Sequence, residues 1–142
     1  MSQKFTVTLG SWDQCKEHAG PIRLAVFVQE QGVPLELELD AEDACSVHAV
    51  AYGPQGDPVG TGRLLRDGHI GRMAVSAACR GQGVGSALLT ALINEARSRH
   101  YPQVVLSAQL HAQAFYAAHG FVAEGDVYLD AGIKHVTMRR GL

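Results

Sequence analysis

Apolar and polar residues alternate at period two through Phe5-Thr6-Val7-Thr8-Leu9 and stop at Gly10, which predicts a short first or edge strand. Gly20-Pro21 then opens a segment in which Ile22, Val26 and Phe27 share one helical face. Pro21 suits a first helical position, and Gly32-Val33-Pro34 ends the run. From residue 34 to residue 45, Leu35, Leu37 and Leu39 interleave with Glu36, Glu38, Asp40, Glu42 and Asp43, a pattern that fits either an irregular loop or a short helix. Three strands follow, Val47 to Tyr52, Val59 to Leu65 and Ile70 to Val75. The turn sequences Gly53-Pro54-Gln55-Gly56-Asp57 and Asp67-Gly68 separate them and predict an antiparallel meander.

Val84, Leu88, Leu89, Leu92, Ile93 and Ala96 make one stripe between Val84 and Arg99, with Asn94, Glu95 and Arg97 outside it, so this stretch is an amphipathic helix. Val104-Val105-Leu106-Ser107-Ala108 is continuously apolar and β-branched, as a buried strand would be. Ala112 to His119 before Gly120 predicts a second helix with a glycine stop, and strands near Phe121 to Tyr128 and Lys134 to Arg139 finish the chain. No repeat, low-complexity tract or linker interrupts residues 1–142, so they read as a single domain. A chain of this size buries roughly two-thirds of its unfolded surface without disulfides or structural metal.

Composition narrows the function. A hydrophobic content of 46%, a charged content of 18% and a formal charge of -2 describe an ordinary globular protein and argue against a nonspecific polyanion binder. No basic patch invites nucleic acid. Cys15, Cys45 and Cys79 cannot all pair within the chain and show no C-x-x-C or zinc spacing, which points to a reducing compartment. The stretch Met1 to Gly10 lacks a basic region followed by an apolar run, and nowhere do about 18 apolar residues run together. The expectation is a soluble, cytoplasmic protein with no membrane partner.

The chemistry concentrates in Arg80-Gly81-Gln82-Gly83-Val84-Gly85-Ser86, between a strand and an amphipathic helix. The first N–H groups of a helix have no internal partner, and the helix dipole adds partial positive charge there, so the loop predicts an anion cradle. Glycines at 81, 83 and 85 let a bulky diphosphate approach the main chain. A Walker loop needs Lys followed by Ser or Thr after its last glycine, where this chain has Ser86-Ala87. A dinucleotide fingerprint counted from Gly81 needs glycine where Ser86 stands, and its usual place is the first strand of a βαβ unit.

Arg80-x-x-Gly83-x-Gly85 matches the Q/R-x-x-G-x-G/A signature of the GNAT acyltransferase superfamily, and the order of elements resembles that family over nearly the whole chain. Ile70-Gly71-Arg72-Met73-Ala74-Val75 is similar to its bulged fourth strand. Gln109-x-x-Ala112-x-x-Phe115-Tyr116-x-x-x-Gly120-Phe121 is similar to its N-x-x-A-x-x-F-Y-x-x-x-G-F block, with Gln109 where the family usually has Asn. Within the superfamily, Val26-Phe27-Val28-Gln29-Glu30-Gln31 and Gly132-Ile133-Lys134-His135-Val136-Thr137-Met138 resemble the ElaA-type branch. The resemblance implies an α/β (α+β) fold with a central, mostly antiparallel sheet of six to seven strands. That sheet would splay between its fourth and fifth strands, with about four flanking helices. It also implies acetyl-CoA as cosubstrate, with the diphosphate on Arg80 to Ser86 and the pantetheine arm along Met73, Ala74 and Val75, near Gln109, Ala112 and Phe115. The fold is compatible with a homodimer paired through a C-terminal strand, for which the sequence itself carries no pattern.

Acyl transfer to an amine needs a deprotonated nucleophile, a stabilised oxyanion and a proton for the departing thiolate. Tyr116 holds the family position of the general acid, the alternative being a packing role. Glu30, Asp40, His48 and His135 are candidates for the general base, each also readable as a solvated or structural side chain. Six of the 14 acids lie between Glu30 and Asp43, a segment that suits a cationic small-molecule amine or simply faces water. His111 and His119 make no credible metal site. The function expected is an N-acetyltransferase. Its rivals are a noncatalytic acyl-CoA-binding sensor and a nucleotide-binding or purely structural α/β module.

Overall fold

The computed structural model describes residues 5–142 except Leu39. One leucine of the acidic segment and part of the N-terminal reading therefore lie outside the described residues. Seven strands form one sheet: β1 (Thr6–Gly10), β2 (Val47–Tyr52), β3 (Pro58–Leu64), β4 (His69–Val75), β5 (Gln103–Gln109), β6 (Val122–Asp130) and β7 (Ile133–Gly141), in the order β1-β2-β3-β4-β5-β7-β6. Every neighbouring pair is antiparallel except β4 with β5. The expected mixed sheet and its meander are present.

The first helix corrects the sequence reading. It starts at Trp12, not at Pro21, because Ser11 builds a capping box: its Oγ accepts the Gln14 N–H at 3.3 Å and Gln14 Oε1 accepts the Ser11 N–H at 2.9 Å. Pro21 lies inside this helix, α1 (Trp12–Arg23), where its fixed φ is helical and the loss is one backbone bond. The coil then widens into a π-helix, Leu24–Glu30, and ends at Gly32, whose φ of 75° ordinary residues avoid. The acidic segment resolves into two short helical pieces, α2 (Leu35–Glu38) and a 3₁₀ turn over Ala41–Cys45.

Helix α3 (Val84–Ser98) buries Val84, Leu88, Leu89, Leu92, Ile93 and Ala96, the stripe its periodicity predicts. Gly60 and Gly62 let it lie close on β3. A Cβ on Gly60 would stand 2.9 Å from Leu88 and Val84, and one on Gly62 would stand 2.9 Å from Leu92. Cys15, Ala19, Ile22 and Val26 pack with Val50 and Ala74 in smaller clusters of their own. Helices thus cover the middle strands, and six of the seven residues of β3 are buried. Helix α4 (Gln113–Ala118), preceded by a 3₁₀ turn over Leu110–Ala112, packs against β5 and β6.

Strands β4 and β5 pair at His69 with Val105 and at Ile70 with Leu106, and at no later residue. Beyond that point the sheet opens. On the other side of β4 the register with β3 shifts between Thr61 and Arg63, so Arg72 and Met73 together oppose Gly62. Arg72 occupies this bulge at φ 51°, a left-handed conformation uncommon outside glycine.

Candidate active site

The opening between β4 and β5 is a cleft of about 1330 Å³. Its floor is the bulged strand. Ser76 N–H donates to the Val59 carbonyl of β3 at 2.9 Å, so the adjacent Val75 turns its own N–H and C=O toward the cleft. Arg80 Nε donates to that carbonyl at 3.0 Å, and β5 has already parted from β4, so among the described residues the N–H is an unpaired donor on the cleft side.

At one end lies the glycine loop. Gly83 caps α3 at φ 90° and Gly81 sits at φ 76°, values that a side chain would strain. A Cβ on either would meet nothing within 4 Å, so the space before these amides is open to a ligand. Gly85 serves another purpose, since a Cβ there would touch the Phe115 ring at 3.4 Å. Ser86 Oγ lies 2.7 Å from His119 Nε2, which fixes a side chain of the first α3 turn against α4. A diphosphate-bearing cosubstrate fits this end: open main-chain donors, a helix N-terminus and the Arg80 guanidinium converge there.

Tyr116 projects from α4 into the cleft wall beside Phe115 and Phe121, at ring separations of 5.1 and 6.0 Å. Burial pushes its phenol up to about 12, and its hydroxyl has no hydrogen-bond partner among the described residues. His135, 7% exposed, lines the opposite side from β7. Its Nδ1 lies 2.7 Å from the Ile133 carbonyl, which only accepts, so the proton sits on Nδ1 and the Nε2 lone pair is available. Its ring stacks on Tyr128, whose hydroxyl is hydrogen-bonded to Ser107 Oγ.

The other base candidates are elsewhere or occupied. His48 is 1% exposed and outside the cleft, its Nε2–H donating to the Asp43 carbonyl at 2.9 Å and its ring 4.9 Å from that of Trp12. Burial pushes that imidazole below its ordinary value despite the pull of the Asp43 carbonyl. Asp40 also lies off the cleft, bonded to Arg63 and Arg72. Glu30 does line it, but both its oxygens are held by Arg80, whose hydrogen bonds keep its carboxyl below the usual range. Of the cosubstrate candidates, Met73, Ala74, Val75, Arg80, Gly81, Gly83, Val84, Gly85, Ser86, Gln109, Ala112 and Phe115 line the cleft. Gln82 instead turns its amide to the Ala78 carbonyl at 3.3 Å. Gln109, at the departure from the family pattern, donates to Gln31 Oε1 at 3.0 Å and ties β5 to the residue after the π-helix.

Two cleft residues escape the sequence reading. Glu38, 3% exposed, and Arg72 both line the end away from the glycine loop. Four of the six acids in this run, Glu30, Glu38, Asp40 and Asp43, are paired with arginines. No residue within it signals this, because the partners Arg23, Arg63, Arg72 and Arg80 are distant in sequence. Among the described residues there is no His/Cys/Asp/Glu group able to hold a metal ion, and no helix is long and apolar enough to cross a membrane.

A family model described as "Acetyltransferase (GNAT) domain" matches residues 14–142. The chain is 38% identical over 123 residues to the uncharacterized N-acetyltransferase YjcF of Bacillus subtilis (strain 168), covering 84% of this chain and 87% of that protein. Among solved structures, an acyl-CoA N-acyltransferase from Pseudomonas aeruginosa superposes with a TM-score of 0.82 at 34% identity, covering 99% of this chain and 100% of that one. Escherichia coli ElaA superposes with a TM-score of 0.84 at 29% identity, over 95% and 99% of the two chains. A splayed β4/β5 cleft with a glycine cradle at its end accounts physically for these likenesses, and the chain belongs to the GNAT family as an N-acetyltransferase that draws on an acyl-CoA.

Proposed function

We propose that the protein transfers an acetyl group from acetyl-CoA to the primary amine of a small molecule, by direct attack of the amine on the thioester. The observation that carries this reading is the cleft between β4 and β5, which has main-chain donors along one wall and Tyr116 and His135 on its sides. In this reading the loop from Gly81 to Ser86 binds the diphosphate through its main-chain N–H groups, beside the Glu30–Arg80 ion pair. The pantetheine arm lies along Met73 to Val75, pairing with the main chain as a missing strand would.

As the amine nitrogen bonds to the acyl carbon, negative charge develops on the carbonyl oxygen. The free Val75 N–H is a donor placed for it. His135 Nε2 takes the proton that the amine must lose. The C–S bond then breaks and the thiolate takes the Tyr116 phenolic proton. A phenol with its pKa near 12 stays protonated through the neutral range, so the acid is always loaded. Val26, Phe27, Val33, Leu37 and Ile133 line the same cleft and give the acceptor's body an apolar bed.

The test is release of free thiol from acetyl-CoA with a panel of small primary amines. Amine-dependent release supports the reading. Acetyl-CoA binding with no release from any amine would instead indicate a sensor.

A further inference from the structure

Glu38, Arg23, Asp43, Arg63, Asp40 and Arg72 form one alternating chain of acids and bases. Glu38 Oε1 accepts from Arg23 Nε at 2.5 Å, and Arg23 reaches Asp43 at 2.8 and 3.1 Å. Arg63 Nη1 links Asp43 at 3.0 Å to Asp40 at 2.8 Å, and Asp40 Oδ2 accepts from Arg72 Nη2 at 3.0 Å. Three carboxylates and three guanidiniums cancel, and each of the four inner members touches two opposite charges. The two end members touch one each, and of the six only these two line the cleft.

The ends therefore carry unused capacity of opposite sign. Glu38 is nearly sealed from solvent, and its Oε2 has no protein partner among the described residues. Arg72 commits Nη2 to Asp40 and to the Leu37 carbonyl at 3.1 Å, and its buried Nε is unpaired. Among the described residues its Nη1 has no partner and, unlike Nε, it is not closed off. The bulge holds this side chain at the far end of the cleft, about 10 Å along the strand from Val75. A plain cationic amine would satisfy Glu38 and leave Arg72 Nη1 without an acceptor once the cleft is filled, which is unfavourable for a charged donor that loses its water.

We propose that the acceptor is an amino acid or a close zwitterionic analogue, its amino group received by Glu38 and its carboxylate by Arg72, so that the ligand closes the chain of charges into a ring. This rests on the amine-acyltransferase reading and names its substrate class. Glu38 accepts an N–H from the amine both before and after deprotonation. The bound ammonium first gives one proton to solvent; the neutral amine then attacks with its lone pair, His135 Nε2 takes a second proton as the C–N bond forms, and the C–S bond breaks to a thiolate that takes the Tyr116 proton.

Thiol release by the wild-type protein tests this with matched acceptors: each of the common L-amino acids, its methyl ester and its decarboxylated amine. The preferred amino acid should exceed both partners in kcat/KM by at least about tenfold, since a site built to bond a polar group rejects analogues lacking it. Arg72→Gln should bring that ratio toward one, mainly through KM, while the thermal shift given by acetyl-CoA persists. Arg72→Lys, which keeps charge but loses the planar fork, should fall between. Equal use of ester, amine and amino acid, or a preference that survives Arg72→Gln, overturns the proposal while leaving the acetyltransferase reading intact. No thiol release with any acceptor overturns both. The wild-type comparison stands even where a variant fails to fold.

Discussion

Glu30 and Arg80 meet in a two-point ion pair, Nη1 to Oε2 at 2.6 Å and Nη2 to Oε1 at 2.9 Å, while Arg80 Nε holds the Val75 carbonyl at 3.0 Å. One guanidinium thus joins the end of the π-helix, the glycine loop and the strand that floors the cleft. Both side chains are 43% exposed, so the pair orients Arg80 more than it stabilises the fold.

This pairing assigns Glu30 and His135 different fates. A carboxylate with both oxygens held by an arginine and a lowered pKa is a poor proton acceptor. Glu30→Gln is expected to keep kcat within about threefold and to act on KM for acetyl-CoA, whereas His135→Gln should lower kcat by about a hundredfold, the usual scale of a lost general base. Steady-state kinetics of both variants with one acceptor check this. A collapse of kcat in Glu30→Gln with normal turnover in His135→Gln would reverse the assignment.

Removing the Tyr116 hydroxyl should lower kcat by about ten- to a hundredfold and leave the acetyl-CoA thermal shift intact, because the ring still packs against Phe115 and Phe121. The raised phenol pKa adds a second signature. Loss of activity on the alkaline side should not begin near pH 10, since the folded protein keeps this proton to about pH 12. Tyr116→Phe with unchanged turnover under chemistry-limited conditions would exclude the acid role.

Acid stability should fall in two stages. The His48 imidazole is held below its ordinary value by burial, so its neutral form stabilises the fold above about pH 6.5, and that contribution is lost as pH drops below this. Burial alone would raise the Asp43 carboxyl. The hydrogen bonds and charges of Arg23 and Arg63 outweigh it and hold the group below its usual range, so its contribution is present above about pH 4 and is lost as pH falls further. Thermal melts across pH 7 to 3 should show both, and His48→Gln should flatten the first stage only. Asp43→Ala, which strips partners from two buried arginines, should cost about 3–5 kcal/mol at neutral pH.

Which parts were legible in the sequence follows from the range of the forces involved. The α3 stripe, the β2 to β4 meander and the glycine loop ahead of α3 are written in local periodicity and turn chemistry, and each lies where those patterns put it. The start of α1 was legible too, in Ser11-x-x-Gln14, but Pro21 gave a stronger and misleading signal. The π-helical widening after Arg23 has no comparable local mark. The fate of the acidic run depended on arginines up to 50 residues away, as with Glu30 and Arg80, and periodicity carries nothing about such pairs. His48 and His135 both sit in strands. Only the topology shows that one faces Trp12 and Asp43 and the other the cleft.

Diphosphate binding at the head of α3 underlies every step proposed above, and a crystal structure of the protein with coenzyme A tests it most directly. The expected result is a diphosphate within about 3 Å of main-chain N–H groups between Gly81 and Ser86, with the pantetheine arm lying between β4 and β5. A diphosphate bound elsewhere, with those amides facing only water, would contradict it.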